Sequence, residues 1–282
     1  MKKLFLDLGK QPIANGFIEG EPPKDEFFFD LKVVFDEDTK LVSLAEFVKP
    51  DLIFNDSYVY VSSMSQTMRT HFTNTASSLK EGFSPTKVLE IGSNDGVFIK
   101  NFDSNDTIAV EPCSNFAEIT NDKGYHTYPE FWTTALSSQI LEDHGKQDLI
   151  FSANCMCHIQ DLDDAFTAIK ALLSDDGVFV FEDPALDKMI ERNSYDQIYD
   201  EHAHIFSVTA LKNILNNNGL DIFRVDNLSV HGGTNRLYVK HKNNNKFSIQ
   251  TSVDLNLQRE QELGLKKYST YIKFAEKVKQ SK

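Results

Sequence analysis

The stretch that most restricts the fold of this chain is Val88-Leu89-Glu90-Ile91-Gly92-Ser93-Asn94-Asp95-Gly96, followed after a short gap by Thr107-Ile108-Ala109-Val110-Glu111-Pro112. Val88, Leu89 and Ile91 read as a buried strand that breaks into a loop at Gly92 and Gly96. The second run reads as another buried strand ending in an acid. A strand, a glycine loop and a strand closing on an acid about 20 residues later form the opening unit of a nucleoside-binding sheet. The glycines let the backbone approach a ligand, and the terminal carboxylate can accept from two ribose hydroxyls.

Two ligand classes use such a unit, and the loop chemistry separates them. A dinucleotide site calls for G-x-G-x-x-G, so that a helix N-terminus meets a pyrophosphate. Here Ser93 stands at an intermediate glycine position, and Asp95 adds a carboxylate that would repel a pyrophosphate. Beside the sulfonium and ammonium of S-adenosylmethionine an acid is tolerated or helpful, and Glu90 points the same way. The reading favours S-adenosylmethionine over NAD and over a turn with no ligand. The expected cofactor-binding set is Glu90, Gly92, Asn94, Asp95, Gly96, Glu111 and Pro112, with Asn154 past the fourth strand.

The 282 residues suffice for one large domain with a smaller addition. A formal net charge of -13 gives no electrostatic footprint for nucleic acid or an anionic membrane, which need clustered Lys and Arg. No run approaches the roughly 18 apolar residues that span a bilayer. The apolar stretch after Met1-Lys2-Lys3 is broken at Asp7 and Lys10, unlike a secretory signal. Cys113, Cys155 and Cys157 are too few for a disulfide framework, so reduced thiols and a cytoplasmic location are expected. Cys155 and Cys157 lack a second pair for a metal and read as half-buried strand residues.

Three segments emerge. Residues 1–66 form a small N-terminal module with a hairpin, Phe27–Phe35 and Lys40–Leu44, around the turn Asp36-Glu37-Asp38. A helix over 65–81, capped by Ser65, leads into the glycine loop, and residues 67–242 form the core. Strands are expected at 87–91, 107–111, 125–128, 148–153, 177–182, 220–226 and 235–241. Helices are expected near 97–102, 113–123, 132–144, 161–173, 186–193 and 207–218. This alternation implies an α/β fold with a mainly parallel seven-stranded sheet covered on both faces. Its last two strands are separated only by a turn at His231-Gly232-Gly233, which fits a class I methyltransferase (Rossmann-like) sheet better than a dehydrogenase. Residues 243–282 read as a linker and a tail helix, packing on the body or on a second copy in a homodimer.

Acceptor chemistry belongs near the carboxyl ends of the fourth and fifth strands and beyond. Three clusters stand there: Asn154–Asp161 containing His158, Tyr199–His204, and His231–Arg236. Tyr199, Glu201, His202 and His204 place a phenol, a carboxylate and two imidazoles within six residues. Such a group suits removal of a proton from a methyl acceptor; a polar loop or a metal-binding E-H-x-H is the plainer alternative. Taken alone, His158 reads as a helix-start residue, and the glycines beside His231 as serving the turn. Arg236 either binds a phosphate or pairs with an acid. Tyr58 and Tyr60 alternate like strand residues, which favours packing.

Together these pieces resemble the S-adenosylmethionine-dependent C-methyltransferases of nucleotide-linked 4-keto deoxysugars. The resemblance is carried by Asp7–Asn15, Tyr58–Ser63, Glu90–Gly96, Glu111-Pro112, His158–Leu162, Ile198–His202 and Val230–Arg236, in that order. It implies His202 as general base removing the proton alpha to a ketone. It implies Tyr199 and His158 on the enolate oxygen, Glu201 orienting the site, and one of Tyr58 and Tyr60 in support. His231, Asn235 and Arg236 become substrate-binding candidates, and the partner a small molecule, a sugar nucleotide. Two departures stand out. Phe35-Asp36-Glu37-Asp38 occupies the place of a zinc-binding cysteine pair, so no metal is expected, and the sequence stops soon after the tail helix, where members typically continue into a further α/β domain. O-methylation of a small polar acceptor and a non-catalytic partner subunit are the rival readings.

Overall fold

Alternating apolar residues early in the chain build a small antiparallel sheet. In the computed structural model, which describes residues 1–281, it contains β1 (Lys2–Pro12), β2 (Phe28–Asp36) and β3 (Val42–Leu44). β1 pairs with β2, and β2 with β3, so the expected hairpin gains a partner strand. The pattern in β1 is broken by register shifts between Leu4 and Leu6 and between Asp7 and Lys10, which hides its two-residue period. A short helix α1 (Pro50–Ile53) follows, then α2 (Gln66–Phe83), whose N-cap Ser65 accepts from the Met68 N–H at 3.3 Å. Tyr58–Ser63 does not form the strand its alternation suggests: Ser62–Met64 is a 3-10 turn, because this stretch is held by the glycine loop rather than by a neighbouring strand.

The core alternates β4 (Val88–Ile91), β5 (Thr107–Val110), α3 (Ser114–Asp122), β6 (His126–Tyr128), α4 (Thr134–His144), β7 (Gln147–Ala153), α5 (Leu162–Leu172) and β8 (Leu173–Pro184). It continues through α6 (Leu186–Arg192), β9 (His204–Ile205), α7 (Val208–Asn217), β10 (Leu220–Leu228) and β11 (Thr234–His241). Seven strands lie in the order β10-β11-β8-β7-β4-β5-β6. β4 to β8 run parallel, and β11 lies antiparallel between β8 and β10. That is the class I methyltransferase sheet. β9 pairs with β3 in the small sheet, linking the two layers just beyond His202. The helix expected over 97–102 is only a 3-10 turn at Ile99–Asn101, since the loop from Gly96 leaves three residues before Phe102 turns extended. Cys155 and Cys157 lie beyond β7, in a loop and a 3-10 turn, not within a strand.

The tail forms two helices instead of one, α8 (Thr251–Leu263) and α9 (Tyr268–Ser281), parted at Gly264, whose φ of +75° a glycine adopts freely. α8 packs on the large sheet through Val253, and its Glu260 accepts from the Val208 and Thr209 N–H groups at 2.6 and 2.8 Å, capping α7. α9 covers the small sheet: Tyr271 stacks on Phe35 at 4.5 Å, and Phe274 and Val278 join Val33 and Leu44 in a second core. Among the described residues no helix is long and apolar enough to cross a membrane.

Candidate active site

The ends of β4, β5 and β7 open onto a cavity of about 280 Å³. Gly92, Asn94, Glu111, Pro112 and Asn154, all from the expected cofactor set, line it. Gly92 has φ +75°, and a Cβ there would lie 2.7 Å from Cys155 Sγ, so glycine is required on both grounds. Glu111 accepts from the Asn94 N–H at 2.7 Å and the Cys113 N–H at 2.9 Å, which fixes its carboxylate at the rim. Burial pushes its pKa up against those two donors. Asn94 takes φ +48° and ties the loop to the preceding segment, accepting from the Ser62 N–H and donating to the Tyr60 carbonyl, each at 2.9 Å.

Three expected cofactor residues do not line this cavity. Glu90 sits inside the sheet, 3% exposed, with Oε2 unpartnered; burial, with Glu111 and Asp95 nearby, holds it well above the usual carboxylate range. Asp95 accepts from the Ser63 N–H at 3.2 Å. Gly96 packs its backbone against Thr120, where a Cβ would approach to 2.8 Å. Sequence reasoning missed Phe131, Trp132 and Asp164, which also line the cavity and carry no loop signature.

The residues expected on the acceptor side converge from three parts of the chain. Tyr58, Tyr60 and His158 line the cavity. A row of rings runs from Tyr58 through Phe54 (5.3 Å) and His158 (5.2 Å) to His202 (5.2 Å) and Tyr199 (4.3 Å). Tyr58 donates its hydroxyl to Glu201 Oε2 at 2.9 Å. His202 Nδ1 lies 2.7 Å from the Gln197 carbonyl, and since a carbonyl only accepts, that nitrogen carries the proton. Nε2 is then the lone-pair atom, 3.0 Å from the Tyr199 hydroxyl. Burial pushes His202 down to about 4 and His158 well below its usual value, so both rings are neutral near pH 7. Nε2 of His158 has no partner.

His204 is buried between Phe47 and Phe206 with Nε2 3.2 Å from the Gln160 carbonyl, away from the cavity. The last cluster is engaged elsewhere. Arg236 pairs with Glu182 at 2.6 Å and donates to Thr75 Oγ1, while His71 meets the other Glu182 oxygen at 2.6 Å. Asn235 accepts from Asn227 at 2.7 Å. His231 lines a separate hollow with Lys188, Arg192 and Gln197. None of the three reaches the main cavity.

Cys157, His158 and His202 bring potential metal ligands within 4.8 Å of one another. Burial beside Asp183 pushes the Cys157 thiol up, and Tyr199 occupies His202 Nε2. Burial raises Asp183 itself to about 7.

A methyltransferase domain family matches residues 61–225, a putative zinc binding domain residues 1–54, and a C-methyltransferase C-terminal domain residues 229–282. The C-methyltransferase NovU of Streptomyces niveus is 30% identical over 235 residues, which are 81% of this chain. The chain belongs to the methyltransferase domain family. It spans 56% of the length of that curated relative. S-adenosylmethionine is the cofactor of this family. Similar solved structures include an S-adenosylmethionine-dependent methyltransferase from Clostridium acetobutylicum ATCC 824, 15% identical over 61% of this chain and 92% of that one, TM-score 0.49. Another is magnesium protoporphyrin IX methyltransferase from Synechocystis PCC 6803 with bound SAH, 14% identical over 61% of this chain and 82% of that one, TM-score 0.44. The match to a zinc-binding domain meets a methyltransferase whose residues 1–54 hold neither Cys nor His. At the hairpin turn Asp36 accepts from the Asp38 N–H at 2.9 Å, and Glu37 pairs with Lys3 at 2.8 Å. These residues do not fit a structural zinc ion.

Proposed function

We propose that this chain transfers a methyl group from S-adenosylmethionine to a carbon next to the ketone of a nucleotide-linked sugar, with His202 as general base. The observation that carries the reading is the fixed tautomer of His202, whose Nδ1–H is held by Gln197 so that a neutral Nε2 faces Tyr199 beside the cavity. A neutral imidazole can take the proton alpha to a ketone, whereas a protonated one cannot. As the acceptor's C–H replaces the Tyr199 hydroxyl at Nε2, that phenol is freed to donate to the ketone oxygen. His158, with Nε2 unpartnered, supplies a second polar contact there, and the developing enolate is stabilised by donors already in place. Burial beside Glu201 keeps Tyr58 a protonated donor. The enolate carbon then attacks the sulfonium methyl, the carbon–sulfur bond breaks, and S-adenosylhomocysteine leaves.

His202→Ala is expected to lower turnover of a 4-keto sugar nucleotide by about 10²-fold or more while S-adenosylhomocysteine affinity in calorimetry stays within about twofold. Turnover retained in the variant would remove His202 from this role.

A further inference from the structure

The segment after β1, Ile13-Ala14-Asn15-Gly16, has no role in the chemistry above, yet it meets the acceptor site from 186 positions away. Its turn is closed by the Gly16 N–H on the Ile13 carbonyl at 3.2 Å. That turn presents two donors in succession. The Ala14 N–H reaches Asp200 Oδ1 at 3.0 Å, and Asn15 Nδ2 donates to Glu201 Oε1. The other oxygen of Glu201 is taken by Tyr58. A carboxylate that is 2% exposed therefore has one donor on each oxygen, and no cation pairs with it among the described residues.

The groups facing Glu201 are Asp200, Tyr58, Tyr199, Cys113 and Cys157, none of which carries positive charge. A buried carboxylate without a cation stays ionised only where hydrogen-bond donors replace water. We propose that Asn15 is a positioning residue of the reaction, whose amide holds Glu201 ionised and correctly turned within the acceptor site. The assignment rests on the C-methyltransferase reading for the reaction it serves. Burial drives Glu201 toward the neutral acid, and Asn15 is the strongest donor opposing that, ahead of Tyr58.

Two substitutions test this. Asn15→Ala removes the donor. Asn15→Asp keeps the shape but sets a second carboxylate against Glu201, and two carboxylates sharing a site cannot both ionise readily. The acid limb of kcat/KM is expected to move to higher pH in both, by about one unit or more in Asn15→Asp and by less in Asn15→Ala. S-adenosylhomocysteine affinity should stay near wild type. The same order of shifts is expected in the carboxyl titration of Glu201, followed by NMR with carboxyl-labelled glutamate and assigned with Glu201→Gln. Rates scaled down evenly at every pH, or an unmoved Glu201 titration, would overturn the proposal. If the wild type methylates no 4-keto sugar, the C-methyltransferase reading falls, and the NMR titration alone decides for or against Asn15.

Discussion

His202 owes its assigned role to contacts made by opposite ring atoms, and its burial has a measurable consequence for stability. His202 and His204 are both pushed down to about 4, so each stays neutral in the folded protein while an unfolded chain protonates it below about 6.5. Between those values the unfolded state binds more protons, so these two groups lower stability as pH falls through the window. Asp183, raised to about 7, works the other way: its contribution is present at low pH and is lost as pH rises through 7. His204→Gln keeps a donor for the Gln160 carbonyl but removes the titration. Its loss of unfolding free energy between pH 7 and pH 5 should be smaller than that of wild type by on the order of 2 kcal/mol. Equal losses between the two pH values in wild type and variant, measured by denaturant unfolding, would show that His204 does not titrate this way.

Between elements, the Glu182–Arg236 pair ties β8 to β11, with Thr75 and His71 of α2 on either side. Arg236→Ala would leave Glu182 with His71 alone, and breaking a buried pair costs about 3–5 kcal/mol. The expected outcome is a large fall in unfolding free energy with the acceptor KM of the folded variant unchanged. A raised KM with normal stability would instead restore Arg236 to substrate binding. From the sequence, Arg236 was open to either reading, because a lone Arg on a strand carries no sign of where its partner lies. The parallel strands were legible since Val88–Ile91, Thr107–Val110 and Gln147–Ala153 are short apolar runs ending at glycine or polar loops. β1 was not, because its bulges destroy the alternation, and the break at Gly264 was hidden by apolar residues on both sides.

Over the whole molecule, the proposed acceptor site is assembled from distant stretches. His202 and Glu201 were legible because titratable groups crowd into six residues, whereas Asn15 and Phe54 carry no such mark and reach the site only through the packing of the small sheet. That sheet packs on α9, with Phe35 and Tyr271 both fully buried between them, and residues 1–54 offer no Cys or His to zinc. Dialysis against EDTA should therefore change neither Tm nor turnover. A loss restored by added zinc would show that a metal serves this chain after all.

The central claim, a carbon-directed base at His202, is tested most directly by incubating a 4-keto sugar nucleotide with the protein in D2O without a methyl donor. The account predicts deuterium at the carbon beside the ketone with wild type and none with His202→Ala. Methyl transfer by wild type with no exchange at that carbon would contradict it and point to a hydroxyl acceptor.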